Sequence, residues 1–210
     1  MSTSASATAY AFAKQQILDG GFKGGELISE GDVADQLGLS RTPVREAFLL
    51  LESEGLLRLY PKRGALVVPV SATEVIDVME TREVVECFAI ERAARVGAEL
   101  RDQLDQAIEA QQELIDKGEY AEFVEADREF HRIFVVTGGN PILVQLYDSL
   151  RDRQARMGLA AVATFDGRPT IDEHRALADA VASGHGGLAV ELLKRHLDGL
   201  LRRLHQRPLR

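Results

Sequence analysis

The run from Ser29 to Val68 constrains the fold most, because cap, turn, stripe and hairpin signals follow one another there in a fixed order. Ser29 has the chemistry of an N-cap, with Asp32 three residues on at the capping-box position. The helix it opens carries Val33, Ala34 and Leu37 on one face and ends at Gly38. Ser40 caps the next helix, and Pro43 falls in its first turn, where a missing N–H costs no intrahelical bond. Val44, Ala47, Phe48 and Leu51 recur at the spacing of a buried stripe, which leaves Arg41, Thr42 and Arg45 off that stripe. Two short helices across a glycine turn form a helix-turn-helix. Residues 56–59 and 65–68 then read as strands, joined by a turn over Tyr60 to Gly64 with Lys62 and Arg63 at its tip. A hairpin in that place makes the unit a winged helix, a DNA-binding form; a small helical domain with a solvated basic loop is the alternative. Upstream, residues 5–19 predict a helix stopped by Gly20-Gly21, and Phe22 to Leu27 a glycine-rich connection.

A net charge of −8 looks wrong for such a role until its distribution is read. Residues 1–70 hold seven basic and eight acidic side chains, whereas the excess acid lies beyond residue 70. DNA affinity needs a local basic patch and not a basic protein, and residues 40–64 hold five basic against three acidic groups. Cys87 is the single cysteine, so an intrachain disulfide has no second thiol. The N-terminal segment lacks the basic and apolar regions of a secretory signal, and no apolar run reaches membrane-spanning length. The expected location is cytoplasmic.

After a linker at Pro69 to Ser71 the pattern changes to long helices. The predicted domains are therefore 1–70, the winged helix-turn-helix DNA-binding domain, and 71–210, an all-helical domain. Predicted helices span 73–96, 100–117, 120–136, 141–162, 170–183 and 188–205, with Thr170 as cap and Glu173 at its third position for the fifth. With short loops these six make an antiparallel bundle, and the fold class is mainly α.

Within the bundle, Asp127 and His131 lie four residues apart on one helix face. His174 falls on the stripe of Ile171, Leu177, Ala178 and Val181, and His196 among Leu192, Leu193, Leu197 and Leu200. Three imidazoles and a carboxylate thus border the core from three helices. They can share a divalent ion, or each can be a hydrogen-bonded core residue; spacing leaves both open. His185, in a glycine loop, and His205, near the end of the chain, are set aside.

The stretch LGLSRTPVREAFLLLESEGLLRLYPKRGALV resembles the DNA-binding half of the GntR family of bacterial regulators, over roughly residues 8–70. The resemblance implies a recognition helix in the major groove and a wing tip reaching the minor groove. Carried over by position, Arg41, Thr42 and Arg45 would contact bases and phosphates, with Arg63 and Gly64 at the wing. Many relatives have an Arg where this chain has Gly31, which removes one phosphate contact. The segment from about 75 to 205 is similar to the FCD ligand-binding domain of the FadR subfamily, through TREVVE, DREFHRIF, GGNPIL, DEHRAL and LLKRHL. That likeness implies one divalent metal ion per chain held by Asp127, His131, His174 and His196, with zinc first and nickel, manganese or iron also suited.

Open positions on such an ion would take a small carboxylate effector whose other end pairs with an arginine. Arg82 is the first candidate for that effector-binding role, with an exposed ion pair to Glu86 as its alternative; Arg151, Arg153 and Arg156 are further candidates for the cavity wall. The expected protein is a homodimeric repressor on a palindromic double-stranded operator, released by a small organic acid. A metal-dependent hydrolase using the same Asp/His site, or a regulator whose metal is purely structural, are the alternatives. Against the enzyme, the chain has no HExxH and no glycine-rich phosphate loop, and an enzyme would leave residues 1–70 without a role.

Overall fold

The computed structural model describes residues 4–162 and 167–205. The chain divides into two compact units at Val70/Ser71.

In the first unit, α1 (Ala5–Leu18) starts at Ser4, whose side chain accepts from the Ala7 N–H. The helices α2 (Glu30–Leu37) and α3 (Arg41–Ser53) follow a two-residue strand, β1 (Leu27–Ile28). Ser29 caps α2 as its chemistry requires, accepting from the N–H groups of Gly31 and Asp32, and Gly38 closes it in the left-handed region. Ser40 occupies the N-cap position of α3, but its side chain makes no capping hydrogen bond. The stripe Val44, Ala47, Phe48 and Leu51 is fully buried. It packs with Ala9, Ala13 and Ile17 of α1, Val33 and Ala34 of α2, and Leu57, Ala65 and Val67 of the sheet. Burial of this apolar surface is the main force holding the unit together.

The hairpin is β2 (Leu57–Tyr60) and β3 (Gly64–Val67), each displaced by one residue from the sequence reading. β3 lies in the middle of an antiparallel sheet, with β1 on its other edge. The glycine-rich connection read over Phe22 to Leu27 thus runs into a strand the sequence did not reveal. Two residues, one exposed and one buried, carry no readable alternation. Gly64 is the residue that β1 demands: its φ is +99°, and a Cβ there would sit inside van der Waals contact of the Ile28 carbonyl oxygen.

The second unit is helical: α4 (Ala72–Ala93), a 3-10 turn at Gly97–Leu100, α5 (Arg101–Lys117), α6 (Tyr120–Thr137), α7 (Pro141–Ser149), α8 (Arg151–Val162), α9 (Arg168–Ala182) and α10 (Gly186–His205). The predicted helix over 141–162 is two helices. Leu150 interrupts it, where its N–H turns back to the Tyr147 carbonyl. Ser149 Oγ donates to the Leu146 carbonyl, and Asp148 is drawn aside to Arg128 and Arg132 of α6. No glycine or proline marks the break, which is why the sequence reads as continuous. A second correction concerns α9. It begins at Arg168 and not after Thr170, because Pro169 presets the first turn, and Thr170 is buried and does not cap. α4 packs on α10 and α6, α5 on α6 and α9, α6 on α8, and α9 on α10. Residues from α4, α6, α9 and α10 therefore meet in the centre of the bundle.

Candidate functional site

The centre of the bundle is polar. His131, His174 and His196 are essentially sealed from solvent, with Asp127 beside them partly open. One ligand atom from each of the four lies within 4.8 Å of all the others. α6 supplies two of them because Asp127 and His131 stand one turn apart; α9 and α10 supply His174 and His196 from across the bundle. The His131, His174 and His196 ring centroids are 4.9 to 5.1 Å apart, and Phe130 stacks on His174 at 4.2 Å.

Each imidazole is held from behind. His174 Nδ1 lies 2.7 Å from Gln111 Oε1, and Gln111 Nε2 donates to the Ala126 carbonyl. That second bond makes Gln111 Oε1 the acceptor, so Nδ1 carries the proton and Nε2 keeps its lone pair. His196 Nδ1 meets Glu173 Oε2 at 2.6 Å in the same way. His131 Nδ1 is 2.9 Å from Glu86 Oε2, at ion-pair distance but misaligned for a full hydrogen bond. The Nε2 atoms of all three histidines are buried without a hydrogen-bond partner. Lone pairs left unpaired in a dry interior are costly. Three such nitrogens converging with a carboxylate are a donor set for a zinc-like ion, and the acceptors behind them supply the outer support that metal-bound imidazoles use.

Electrostatics agree with neutral rings at His174 and His196. Burial pushes His174 well below the usual histidine range, and the neighbouring imidazoles add to that. Burial also lowers His196, against the opposing bond to Glu173. Burial by itself would raise Glu86, but Arg82 and His131 hold it at about 2, so it stays ionised. For Arg82, burial opposes its charge and Glu86 more than restores it.

Arg82 was a candidate for the effector or for an exposed pair with Glu86. The structure shows the pair, Nε to Oε1 at 2.7 Å, but buries it: Arg82 is 4% exposed and Glu86 0%. Arg82 Nη2 is left without a partner, and Arg82 lines a cavity that shares Asp127 and His196 with the histidine cluster. Arg151, Arg153 and Arg156 do not form its wall. Arg151 pairs with Glu125, Arg153 and Arg156 stand near Glu74, and α8 presents Gln154, Met157 and Gly158 in their place. α8 turns that face inward because Gly158 rests against Val124 of α6 with no room for a side chain.

Sequence reasoning missed Gln111, Gln154 and the roles of Glu86 and Glu173 behind the histidines. Gln111 had a signal, as a polar residue within the apolar stripe of Leu104, Ile108 and Ile115. His185 is exposed, and the side chain of His205 lies outside the described residues.

In the first unit, Arg41, Thr42 and Arg45 are exposed on the N-terminal half of α3, and Arg63 is exposed in the wing turn. Lys62 at the tip has a φ of +65°. Gly64 is partly buried in β3. Gly31 also gains a physical reason: a Cβ there would lie 3.2 Å from Arg41 Nη2, so the missing side chain lets the Arg41 guanidinium lie over the first turn of α2.

Comparison with known proteins places these features. The family of bacterial regulatory proteins, gntR family, matches residues 5–67, and the FCD domain family matches residues 77–199. An HTH-type transcriptional regulator from an unstable DNA locus of Streptomyces ambofaciens is 30% identical over 200 residues, covering 90% of this chain and 80% of that protein. The transcriptional repressor RspR of Escherichia coli K12 is 26% identical over 187 residues, covering 87% and 81%. Among solved structures, a Rhodococcus sp. RHA1 protein described as a GntR regulator superposes with a TM-score of 0.83 at 24% identity, over 98% of this chain and 100% of that one. McbR/YncC of E. coli superposes at 0.77 and 22%, over 98% and 99%. No described helix is long and apolar enough to cross a membrane. The chain is a transcription regulator and not an enzyme, and it belongs to the GntR family, in the FadR-type arrangement that joins an N-terminal winged helix to a helical FCD domain.

Proposed function

We propose that the protein is a metal-containing repressor that leaves its operator when a small organic acid binds inside the bundle. One observation carries this reading: three histidine Nε2 atoms without a hydrogen-bond partner and Asp127 converge beside a cavity lined in part by Arg82, whose Nη2 also lacks one. The donor set fits one divalent ion per chain, with zinc first, held by Asp127, His131, His174 and His196. When bound, that ion would supply a Lewis-acidic position for an acid's oxygen. Arg82 would pair with the carboxylate, and Glu86 would hold both Arg82 and His131 in place.

At the other end of the chain, Arg45 and Arg41 would grip base edges and phosphates, Thr42 a phosphate, and Arg63 with Gly64 the wing contact. Two copies on a palindromic site would place these helices in successive major grooves, in the cytoplasm. The acid acts by binding two arrangements of the bundle with different affinity. Relatives support repression: RspR, the xylose operon regulator of Paenarthrobacter nicotinovorans and the gluconate operon regulator of Bacillus licheniformis are all described as repressors.

Elemental analysis of protein purified without chelator tests the metal. The expected result is about one divalent ion per chain, lost in the His131→Ala, His174→Ala double variant. Metal-free wild type overturns it. A mobility shift on the protein's own upstream DNA, with and without organic acids, tests release.

A further inference from the structure

The cavity beside the histidine cluster is lined by two unlike sets of side chains. One is polar: Arg82, Asp127, Arg128, Gln154, Thr170 and His196. Arg82 and Gln154 are 4% and 7% exposed, and Arg82 Nη2 and Gln154 Nε2 are both buried without a hydrogen-bond partner. Two orphan donors among the lining residues call for an acceptor, and a carboxylate supplies it. The other side chains of the lining are hydrocarbon and thioether: Met79, Phe123, Val124, Met157, Leu200 and Leu204. Met79, Phe123 and Met157 are almost wholly buried, so the surface they offer faces the cavity and not solvent.

We propose that this cavity selects a monocarboxylate with an unbranched apolar tail, against polyhydroxylated acids of the same length. The inference rests on the effector reading above and names the chemical class of that effector. The carboxylate meets Arg82 Nη2 and Gln154 Nε2 on the side of Asp127 and His196. The tail lies along Met79, Phe123, Met157 and the leucines of α10. Along Met79, Phe123, Met157 and the leucines a sugar acid would set its hydroxyls against side chains that neither donate nor accept, and each hydroxyl there would lose its water without replacement. A methylene gains where a hydroxyl loses. The two methionines suit such a tail, since unbranched thioethers adjust to chain length.

Calorimetric titration of zinc-loaded, full-length protein with propionate, butyrate, pentanoate, hexanoate and gluconate tests this. Affinity is expected to rise about fourfold per added methylene until the cavity is full. Hexanoate should exceed gluconate, its six-carbon polyhydroxy counterpart, by at least about tenfold. A series that is flat with chain length, or gluconate binding as tightly as hexanoate, overturns the proposal. Met157→Gln is expected to remove most of the gain per methylene. An unchanged slope in that variant also counts against it. Arg82→Gln is expected to weaken every acid together. Gluconate winning, with its binding lost in Arg82→Gln, would sink the apolar-tail class and leave the effector reading standing. Failure of all five acids to bind would sink both.

Discussion

The two units solve opposite problems. The winged helix buries hydrocarbon and exposes its chemistry: Phe48, Val44 and Leu51 are sealed, while Arg41, Thr42, Arg45 and Arg63 face solvent. The bundle does the reverse. It seals three histidines, Glu86, Arg82 and Gln111, and leaves Val84, Phe88 and Ile142 exposed. A group that must meet DNA has to stay hydrated until DNA arrives, so the fold around it can be an ordinary apolar core. A group that must bind an ion or a small acid has to be pre-aimed in a dry interior. The bundle therefore carries unpaired polar atoms that cost stability until something fills the site.

That contrast can be broken first at the cores. Phe48→Ala is expected to cost about 3–5 kcal/mol and to loosen the winged helix, while the content of the divalent metal proposed for the bundle stays at the wild-type level. Loss of that metal in the variant, read by elemental analysis, would mean the units do not keep their chemistry apart. In the bundle the counterpart is Glu86→Gln, which leaves Arg82 buried without its countercharge. The expected cost is about 3–5 kcal/mol in chemical denaturation, with operator affinity of the folded fraction unchanged. A loss under about 1 kcal/mol would show that water reaches the Arg82–Glu86 pair.

A smaller effect belongs to the DNA face. Arg45→Ala should weaken operator binding by about 1–3 kcal/mol and leave the melting temperature nearly unmoved, since Arg45 is exposed. Equal binding by wild type and variant would remove Arg45 from the reading face. Smallest is the response to acid. His174 and His196 are held below their ordinary value of 6.5 by burial, so the unfolded chain takes up protons that the folded metal-free chain refuses. Stability in chelator is therefore full above about pH 6.5 and falls as pH drops from there toward the folded values. Denaturant melts between pH 7.5 and 5.5 check the sign. A flat profile would mean the rings protonate within the fold, and the site would then be too wet for the contrast drawn here.

Much of this was legible in the chain of residues. The cap at Ser29, the stop at Gly38, the stripe of α3 and the hairpin all rest on interactions within a few residues. So does the pairing of Asp127 with His131 on one face of α6. The four candidate ligands could be named because three histidines fall on or beside apolar stripes, where an imidazole is out of place unless it has a partner. What stayed hidden depends on residues far apart. β1 is a strand only because β3 lies beside it. The break at Leu150 follows from Asp148 being held by two arginines of α6, and Thr170 is a wall residue because Pro169 starts its helix a turn early.

Local propensity and periodicity thus determine the winged helix and the helical bundle and set Asp127, His131, His174 and His196 on or beside apolar faces, because each depends on short-range backbone geometry and on which face is apolar; the resemblance to the FCD domain is what grouped the four. Tertiary structure alone decided which atoms are left wanting. The orphaned Nε2 lone pairs, the free Nη2 of Arg82 behind its pair with Glu86, and the apolar side chains of the cavity lining come from helices distant in the chain. Whether a buried polar atom has a partner is a property of the packing around it, and no single residue carries that information.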